Sequence, residues 1–362
     1  MSKLEEARLK INQIDRQMAE LYEQRMVQSA EVADYKIRNG LPVYDASRAD
    51  EVIRHNMAHI KDPVIREYYV TFLKSMMETS KAYQGRIMQG MKVSYSGVPG
   101  AFAHVAAQRL FPDAALLPYP DFESAYQACE EGAVDAVVLP VENSFAGDVG
   151  IVLDLIFSGS LYINQMIDLE VVQNLLGLPG TSVDQIRTVI SHPQALSQCF
   201  SYIREHQYNA IEYANTAIAA KEVIEKGDRS VAAIASAATA DLYGLEVIEH
   251  HINTSNNNTT RFAAFTRTQN LPEPHSKMGE HFSLVFTVLN EAGALAKTLN
   301  IIGAHGFNMR NLRSRPMKEL KWSYFFFVEL EGNVNSEDGE DLLRQLGTVC
   351  DRLKLVGAYR DL

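Results

Sequence analysis

The chain has 362 residues, 46% of them hydrophobic and 22% charged, which is long enough for two or three domains and too apolar for extended disorder. With 34 Lys and Arg against 45 Asp and Glu the formal charge is −11, which excludes nucleic-acid binding through a broad basic surface. No apolar run reaches the ~18 residues of a membrane span. The first twenty residues carry Glu5, Glu6, Arg8, Lys10, Asp15 and Arg16, a pattern that fits no signal peptide. Cys129, Cys199 and Cys350 are far apart and outside any CxxC motif, so neither a disulfide framework nor a metal site is expected. These features together point to the cytoplasm.

Charge and texture divide the chain. Residues 1–90 are net +1 and almost free of Gly and Pro, so they read as helix. Residues 91–278 carry the whole acidic excess, net −11, and strand-length apolar runs alternate there with helical stretches. Residues 279–362 are net −1. The polar, Pro/Gly-rich stretch from Leu271 to Gly279 reads as a linker. The expected domains are 1–90, 91–271 and 280–362, with the linker at 272–279.

In the first segment, Leu4, Ile11, Ile14, Met18, Leu21, Tyr22, Val32 and Ile37 recur with no breaker before Gly40, predicting a helix of about 35 residues. Such a helix has more apolar surface than one small monomer covers, so a partner copy is implied, as a dimer or a larger assembly. A second helix is expected from about Asp45 or Ser47, and a third from Pro63 to about Met88. Arg25 and Lys36, 11 residues apart, share a helix face; Arg8 lies about 25 Å up the axis from Arg25. If all three serve one site, Arg8 belongs to an antiparallel partner. Ser80 and Gln84 are spaced i,i+4 and share a face.

The pattern Arg8, Arg25, Lys36, Asp45, Arg48, Ser80, Gln84 resembles an all-helical chorismate mutase domain. That chemistry is a pericyclic rearrangement of a dianion and asks for cations and positioned donors, with no nucleophile and no metal. The resemblance implies that Arg8 (from the partner), Arg25 and Arg48 hold carboxylates and that Lys36 and Gln84 face the ether oxygen. Asp45 and Ser80 would add polar contacts. One position departs: the family's Glu after the matching arginine is Ala49 here, which leaves a weak or vestigial mutase as an alternative.

In the middle segment, strands at Lys92–Tyr95, Asp135–Val141, Thr188–Ser191 and Val231–Ala235 alternate with helices at Ala103–Leu110, Phe122–Glu130, Ala195–Glu205 and Thr216–Glu225. This predicts a two-lobed α/β domain with a mostly parallel sheet, its active groups where strands end and helices begin. Gly97-Val98-Pro99-Gly100 with Phe102, Pro140-Val141-Glu142-Asn143-Ser144, Ser191-His192-Pro193-Gln194 and Thr260-Arg261-Phe262 follow one another in the chain. Together they resemble prephenate dehydratase. The family's His before the Leu175-Leu176 pair is replaced by Gln173-Asn174. The resemblance implies loss of CO2 and a ring hydroxyl without a cofactor. Thr260 would stand beside the departing hydroxyl, Glu142, Asn143, Ser144 and Gln194 would line the pocket, and Arg261 would anchor a carboxylate.

From Glu280 the order strand, helix, strand, strand, helix, strand is ferredoxin-like α+β (βαββαβ). The segment resembles an ACT domain, a regulatory module that binds amino acids at dimer interfaces. Gly293-Ala294-Leu295 matches one of its motifs, and Arg313-Ser314-Arg315-Pro316 matches its Glu-Ser-Arg-Pro except at Arg313. The implied effector residues are Gly293, Ala294, Leu295, Asn308, Ser314 and Arg315, and the implied effector is L-phenylalanine. The order of the three resemblances implies a multidomain enzyme of phenylalanine biosynthesis acting on chorismate and then prephenate. A non-catalytic amino-acid-sensing protein is the alternative of another class.

Overall fold

The computed structural model describes residues 2–43, 46–255, 257–275, 280–317 and 323–360. The chain divides between residues 91 and 92 into two units.

The first unit is three helices, α1 (Lys3–Asn39), α2 (Ala46–Met57) and α3 (Pro63–Gln89). Their ends follow from local chemistry. Ser2 and Glu5 form a capping box at the start of α1, and Gly40 ends it in the left-handed region at φ 64°. The Asp62 carboxylate accepts the Val64 and Ile65 N–H groups, with Pro63 in the first turn of α3. α1 and α3 meet around the buried residues Ser29, Ala33, Leu73 and Ser80. The helix ends expected from sequence agree with these to within a residue or two. Leu4, Ile11, Ile14, Met18 and Leu21 are all exposed, so most of the apolar stripe of α1 has no cover within its own chain.

The second unit begins with β1 (Lys92–Ser96), α4 (Phe102–Leu110), β2 (Ala115–Tyr119), α5 (Phe122–Glu130), β3 (Ala136–Asn143), β4 (Gly147–Asp148), α6 (Gly150–Ser158) and β5 (Tyr162–Glu170). The chain then crosses to a second lobe: β6 (Asn174–Gly177), β7 (Thr188–Ser191), α7 (Pro193–Gln198), α8 (Phe200–Glu205), β8 (Asn209–Glu212), α9 (Thr216–Lys226), β9 (Val231–Ala235), α10 (Ala237–Tyr243) and β10 (Glu246–Glu249). β11 (Thr259–Thr266) returns to the first lobe. The C-terminal segment adds β12 (Glu280–Thr287), α11 (Ala294–Ala304), β13 (Asn308–Pro316), β14 (Tyr324–Glu331), α12 (Glu337–Leu346) and β15 (Arg352–Arg360), the expected βαββαβ order.

Three features differ from the sequence reading. The sheets are mixed: β1, β2 and β3 are parallel, but β11 runs antiparallel to both β3 and β5 because it re-enters from the other lobe. The single helix expected over Ala195–Glu205 is broken at Cys199. There Thr254 supplies its backbone N–H to the Gln198 carbonyl and its hydroxyl to the Ser201 N–H, replacing helical partners. The last helix stops at Leu346, before Gly347, and the final strand starts earlier than expected, at Arg352.

The C-terminal segment is not separately layered. Its strands continue the first-lobe sheet in the order β13-β14-β12-β15-β5-β11-β3-β1-β2. The join is a single parallel bridge from Gly357 to Ile163. A Cβ at position 357 would lie 2.0 Å from the Ile163 carbonyl oxygen, so only glycine permits this approach. One face of the C-terminal sheet packs α11 and α12 over Phe282, Leu284, Phe286, Val328 and Leu330. The other places Val285, Phe325, Phe327, Val356 and Tyr359 in the same core as Leu153 and Ile156 of α6 and Phe265 of β11.

Cys129 and Cys199 are completely buried and burial raises both thiols to about 12, while Cys350 is half-buried. A native-state titration with a thiol reagent near pH 8 should therefore modify Cys350 first, the other two reacting only on unfolding. Equal rates for all three would contradict this core.

Candidate active sites

In the helical unit a cavity of about 790 Å³ is lined by Arg25, Lys36 and Arg48 together with Ser80 and Gln84. The helix spacing that puts Arg25 and Lys36 on one face of α1 aims them at α3. Arg25 Nη1 donates to Ser80 Oγ. Lys36 Nζ donates to Gln84 Oε1 at 3.0 Å and to the Val43 carbonyl at 2.6 Å, and Gln84 Nε2 donates to Ser29 Oγ at 3.0 Å. The cavity thus presents cations on fixed side-chain scaffolding. Arg48 also pairs with Glu51 at 2.7 Å, while Asp50 turns to the cavity. Asp45 lies outside the described residues. Arg8 is exposed on α1, 17 residues before Arg25 and hence about 25 Å away along the axis, so this chain's own Arg8 does not reach the cavity.

Between the two α/β lobes a second cavity, of about 210 Å³, is lined by Asn143, Gln173, Gln194, Gln198, Asn215 and Thr260, with His192 and Thr216 beside them. Its floor is the paired ends of β3 and β11, where Asn143 stands opposite Thr260. Asn143 Nδ2 donates to Thr260 Oγ1 at 2.8 Å and to Asn258 Oδ1 at 2.9 Å. Its Oδ1 accepts the N–H groups of Phe145 and Ala146 at 3.0 and 2.8 Å. With one oxygen lone pair occupied by Asn143, the Thr260 hydroxyl keeps its proton for donation into the cavity.

The described lining contains no Lys, Arg, Asp or Glu. Positive potential comes instead from backbone ends, because Ala101 and Phe102 begin α4 and Asn215 and Thr216 begin α9. Gln173 and Gln198 are among the lining residues that were not singled out as site residues from the sequence. Gln198 accepts from Gln173 Nε2 at 3.2 Å, and Gln173, only 2% exposed, keeps an Oε1 with no hydrogen-bond partner. Gln173 falls at the position where the dehydratase resemblance departs from its pattern, and that departure was the available signal. The entrance loop is held by His104, whose Nδ1 accepts the Gly100 N–H at 3.3 Å; burial lowers the pKa of this imidazole, in keeping with a neutral acceptor.

Strand alternation separates residues that adjoin in sequence. Arg261 stands opposite Glu142 in the β3–β11 ladder, and both point away from the cavity. Arg261 therefore does not line the cavity, where a carboxylate anchor was expected. It forms a bidentate pair with Asp168 at 2.8 and 3.1 Å, reaches Glu329 of β14 at 3.5 Å, and holds the Asp168 carboxyl below its ordinary pKa. Glu142 does not line the cavity either, because it pairs with Arg313 of β13. Ser144, beyond the strand end, donates to the Asn257 carbonyl at 2.6 Å and accepts the Thr259 N–H at 2.9 Å, which fastens the hairpin without facing the cavity.

In the C-terminal segment Gly293 starts α11 at φ 85°, with Ala294 and Leu295 in its first turn. Asn308 donates to Glu331 at 2.9 Å, and Ser314 is exposed. Arg315 is directed to the α/β body, where Asp154 of α6 takes its guanidinium at 2.9 and 3.2 Å.

A prephenate dehydratase family model matches residues 93–270, a type II chorismate mutase model residues 7–85, and an ACT domain model residues 282–348. The bifunctional chorismate mutase/prephenate dehydratase of Neisseria gonorrhoeae is 30% identical over 352 residues, covering 96% of this chain and 94% of that protein. Among solved structures, a prephenate dehydratase from Arthrobacter aurescens in complex with L-Phe superposes with TM-score 0.69 at 26% identity, covering 75% of this chain and 90% of the other. GqqA, described as a quorum-quenching acylase, superposes with TM-score 0.69 at 30% identity over 75% of this chain and 98% of its own.

Proposed function

The chain belongs to the bifunctional chorismate mutase/prephenate dehydratase family, and from that premise we propose how its two cavities divide the work. The enzyme rearranges chorismate to prephenate and converts prephenate to phenylpyruvate in phenylalanine biosynthesis. The first step breaks one C–O bond and forms one C–C bond with no proton transfer, so rate comes from holding the reactive conformer and stabilising charge on the ether oxygen. Arg25 and Arg48 grip the carboxylates, and Lys36 with Gln84 faces the ether oxygen. Arg8 of a partner copy completes the site in a homodimer. Support for that dimer is the exposed apolar stripe of α1 and the distance of Arg8 from its own cavity.

In the second step the electron pair of the C–CO2 bond enters the ring as CO2 leaves, and the hydroxide departs from the opposite ring carbon as the ring becomes aromatic. Thr260 donates its hydroxyl proton or a hydrogen bond to the departing oxygen. The amide side chains of Asn143 and Gln194 orient the substrate, and the starts of α4 and α9 balance its carboxylates in place of Arg261. The Asn143–Thr260 hydrogen bond at the cavity floor is the single observation that carries this assignment.

L-phenylalanine inhibits by binding the C-terminal segment near Gly293-Ala294-Leu295, a reading supported by the L-Phe complex of the Arthrobacter aurescens relative. The protein works in the cytoplasm, a reading supported by its three free cysteines.

Two substitutions separate the activities. Lys36→Ala should lower kcat/KM for chorismate by about 100-fold or more and leave dehydration of supplied prephenate unchanged. Thr260→Val should do the reverse. Loss of both activities in either variant, or of neither, would refute the assignment of sites. Shared mutase sites have their own test. Arg8→Ala and Arg25→Ala chains should each be inactive alone, and their purified heterodimer should regain about half the wild-type mutase rate, since one of its two sites is intact. An inactive heterodimer would show that the sites are not shared between chains, and an active Arg8→Ala homodimer would place Arg8 outside the site.

A further inference from the structure

β3 and β4 form a short antiparallel hairpin in which Glu142 stands directly opposite Asp148 and Asn143 opposite Gly147. Directly opposed residues share a face, so two carboxylates meet at the base of the hairpin, an arrangement that repels when left alone. Arg313 of β13 lies between them. Its Nη2 pairs with Glu142 and its Nε with Asp148 Oδ1 at 2.8 Å, and only 8% of its side chain is exposed. One residue further along β3 the alternation reverses, and Asn143 faces the interlobe cavity. There it donates to Thr260 Oγ1 and accepts the Phe145 and Ala146 N–H groups that close the hairpin tip. The same hairpin thus carries a charged base toward the C-terminal segment and a neutral tip in the dehydratase cavity.

We propose that Arg313 is a positioning residue of the dehydratase site: it neutralises the Glu142–Asp148 pair and so holds the hairpin that presents Asn143 to Thr260. This rests on the reading that Asn143 and Thr260 belong to that site. Position 313 is where the chain departs from the Glu-Ser-Arg-Pro pattern of the ACT resemblance. A glutamate there would put a third carboxylate beside two that already oppose each other, so Arg313 and the Glu142–Asp148 pair form one arrangement. A planar guanidinium suits the position because its fork reaches two acceptors on adjacent strands at once. The C-terminal segment therefore supplies part of the dehydratase architecture as well as a place for an effector. Any movement of β13 relative to β3 would act first on Glu142 and Asp148 and through the hairpin on Asn143.

The test compares four full-length variants, with mutase activity reporting the helical unit and the thermal unfolding transition of the α/β unit reporting that each variant is folded there. Arg313→Gln should lower kcat for prephenate by about tenfold with KM changed less than about twofold, because binding groups stay while the Thr260 geometry is lost. Adding Glu142→Gln and Asp148→Asn removes the repulsion and should recover kcat to within about threefold of wild type. Arg313→Lys, which keeps the charge and loses the fork, should fall between the two. Asn143→Ala should lose dehydratase activity and keep mutase activity. The proposal is overturned if Arg313→Gln keeps wild-type kcat while Asn143→Ala is inactive. It is equally overturned if the triple variant stays as slow as Arg313→Gln, since Arg313 then acts through packing alone. An active Asn143→Ala would instead remove the site reading on which the proposal stands.

Discussion

The period of two along the β3–β11 ladder governs the α/β unit. Side chains on a strand alternate between faces, so two adjacent residues in sequence serve opposite sides of one sheet. Asn143 and Thr260, opposed across the ladder, meet in the interlobe cavity, whereas their neighbours Glu142 and Arg261, also opposed, face the C-terminal segment. A slip of β11 by one residue against β3 would turn its side chains over, bringing Arg261 opposite Asn143 in the cavity and taking Thr260 out of it. The antiparallel return of β11 from the second lobe makes the pairing possible, since it brings Thr260 back to the end of β3.

Charge follows the same division. The cavity lining is amide, hydroxyl and imidazole, while the seam with the C-terminal sheet concentrates guanidinium–carboxylate pairs: Arg261 with Asp168 and Glu329, Arg313 with Glu142 and Asp148, and Arg315 with Asp154. The Glu329 side chain is only 3% exposed, and a charge so buried is tolerated because Arg261 and Arg310 both reach it. Removing one partner of such a pair costs about 3–5 kcal/mol, so the seam favours one docking geometry over slipped alternatives. The apolar contacts of Phe325 and Phe327 with α6 supply bulk attraction there, and the ion pairs add direction.

The helical unit solves a different problem with different means. Its substrate is a dianion and its reaction moves no protons, so its cavity gathers Arg25, Lys36 and Arg48 on helices and restrains Arg25 and Lys36 through the neutral partners Ser80 and Gln84, while Arg48 pairs with Glu51. The interlobe cavity is lined instead by helix starts and amides, and Arg261, Arg313 and Arg315 are engaged in ion pairs outside it. The acidic excess of residues 91–278 is thus compatible with an anionic substrate, because net charge is set at the surface and the cavity is lined by neutral groups.

Much of this was legible in the amino-acid sequence because it is local. Helix periodicity, caps and the stop at Gly40 define three long helices, and the i,i+4 and three-turn spacings put Arg25, Lys36, Ser80 and Gln84 on facing surfaces. Motif order identified three segments and Thr260, Asn143 and Gln194 as cavity residues. What sequence left undecided depends on long-range pairing: the antiparallel course of β11, the glycine contact that fuses the C-terminal strands to the first-lobe sheet at Gly357, and the direction of each motif side chain. Arg261 and Glu142 sit inside the right motifs and point away from the cavity, which only the register of β3 against β11 decides. The sequence by itself determined the segments, their chemistry and their order, since propensity and spacing act over a few residues. The tertiary structure decided which side of the sheet each charge serves, since that depends on partners more than a hundred residues away.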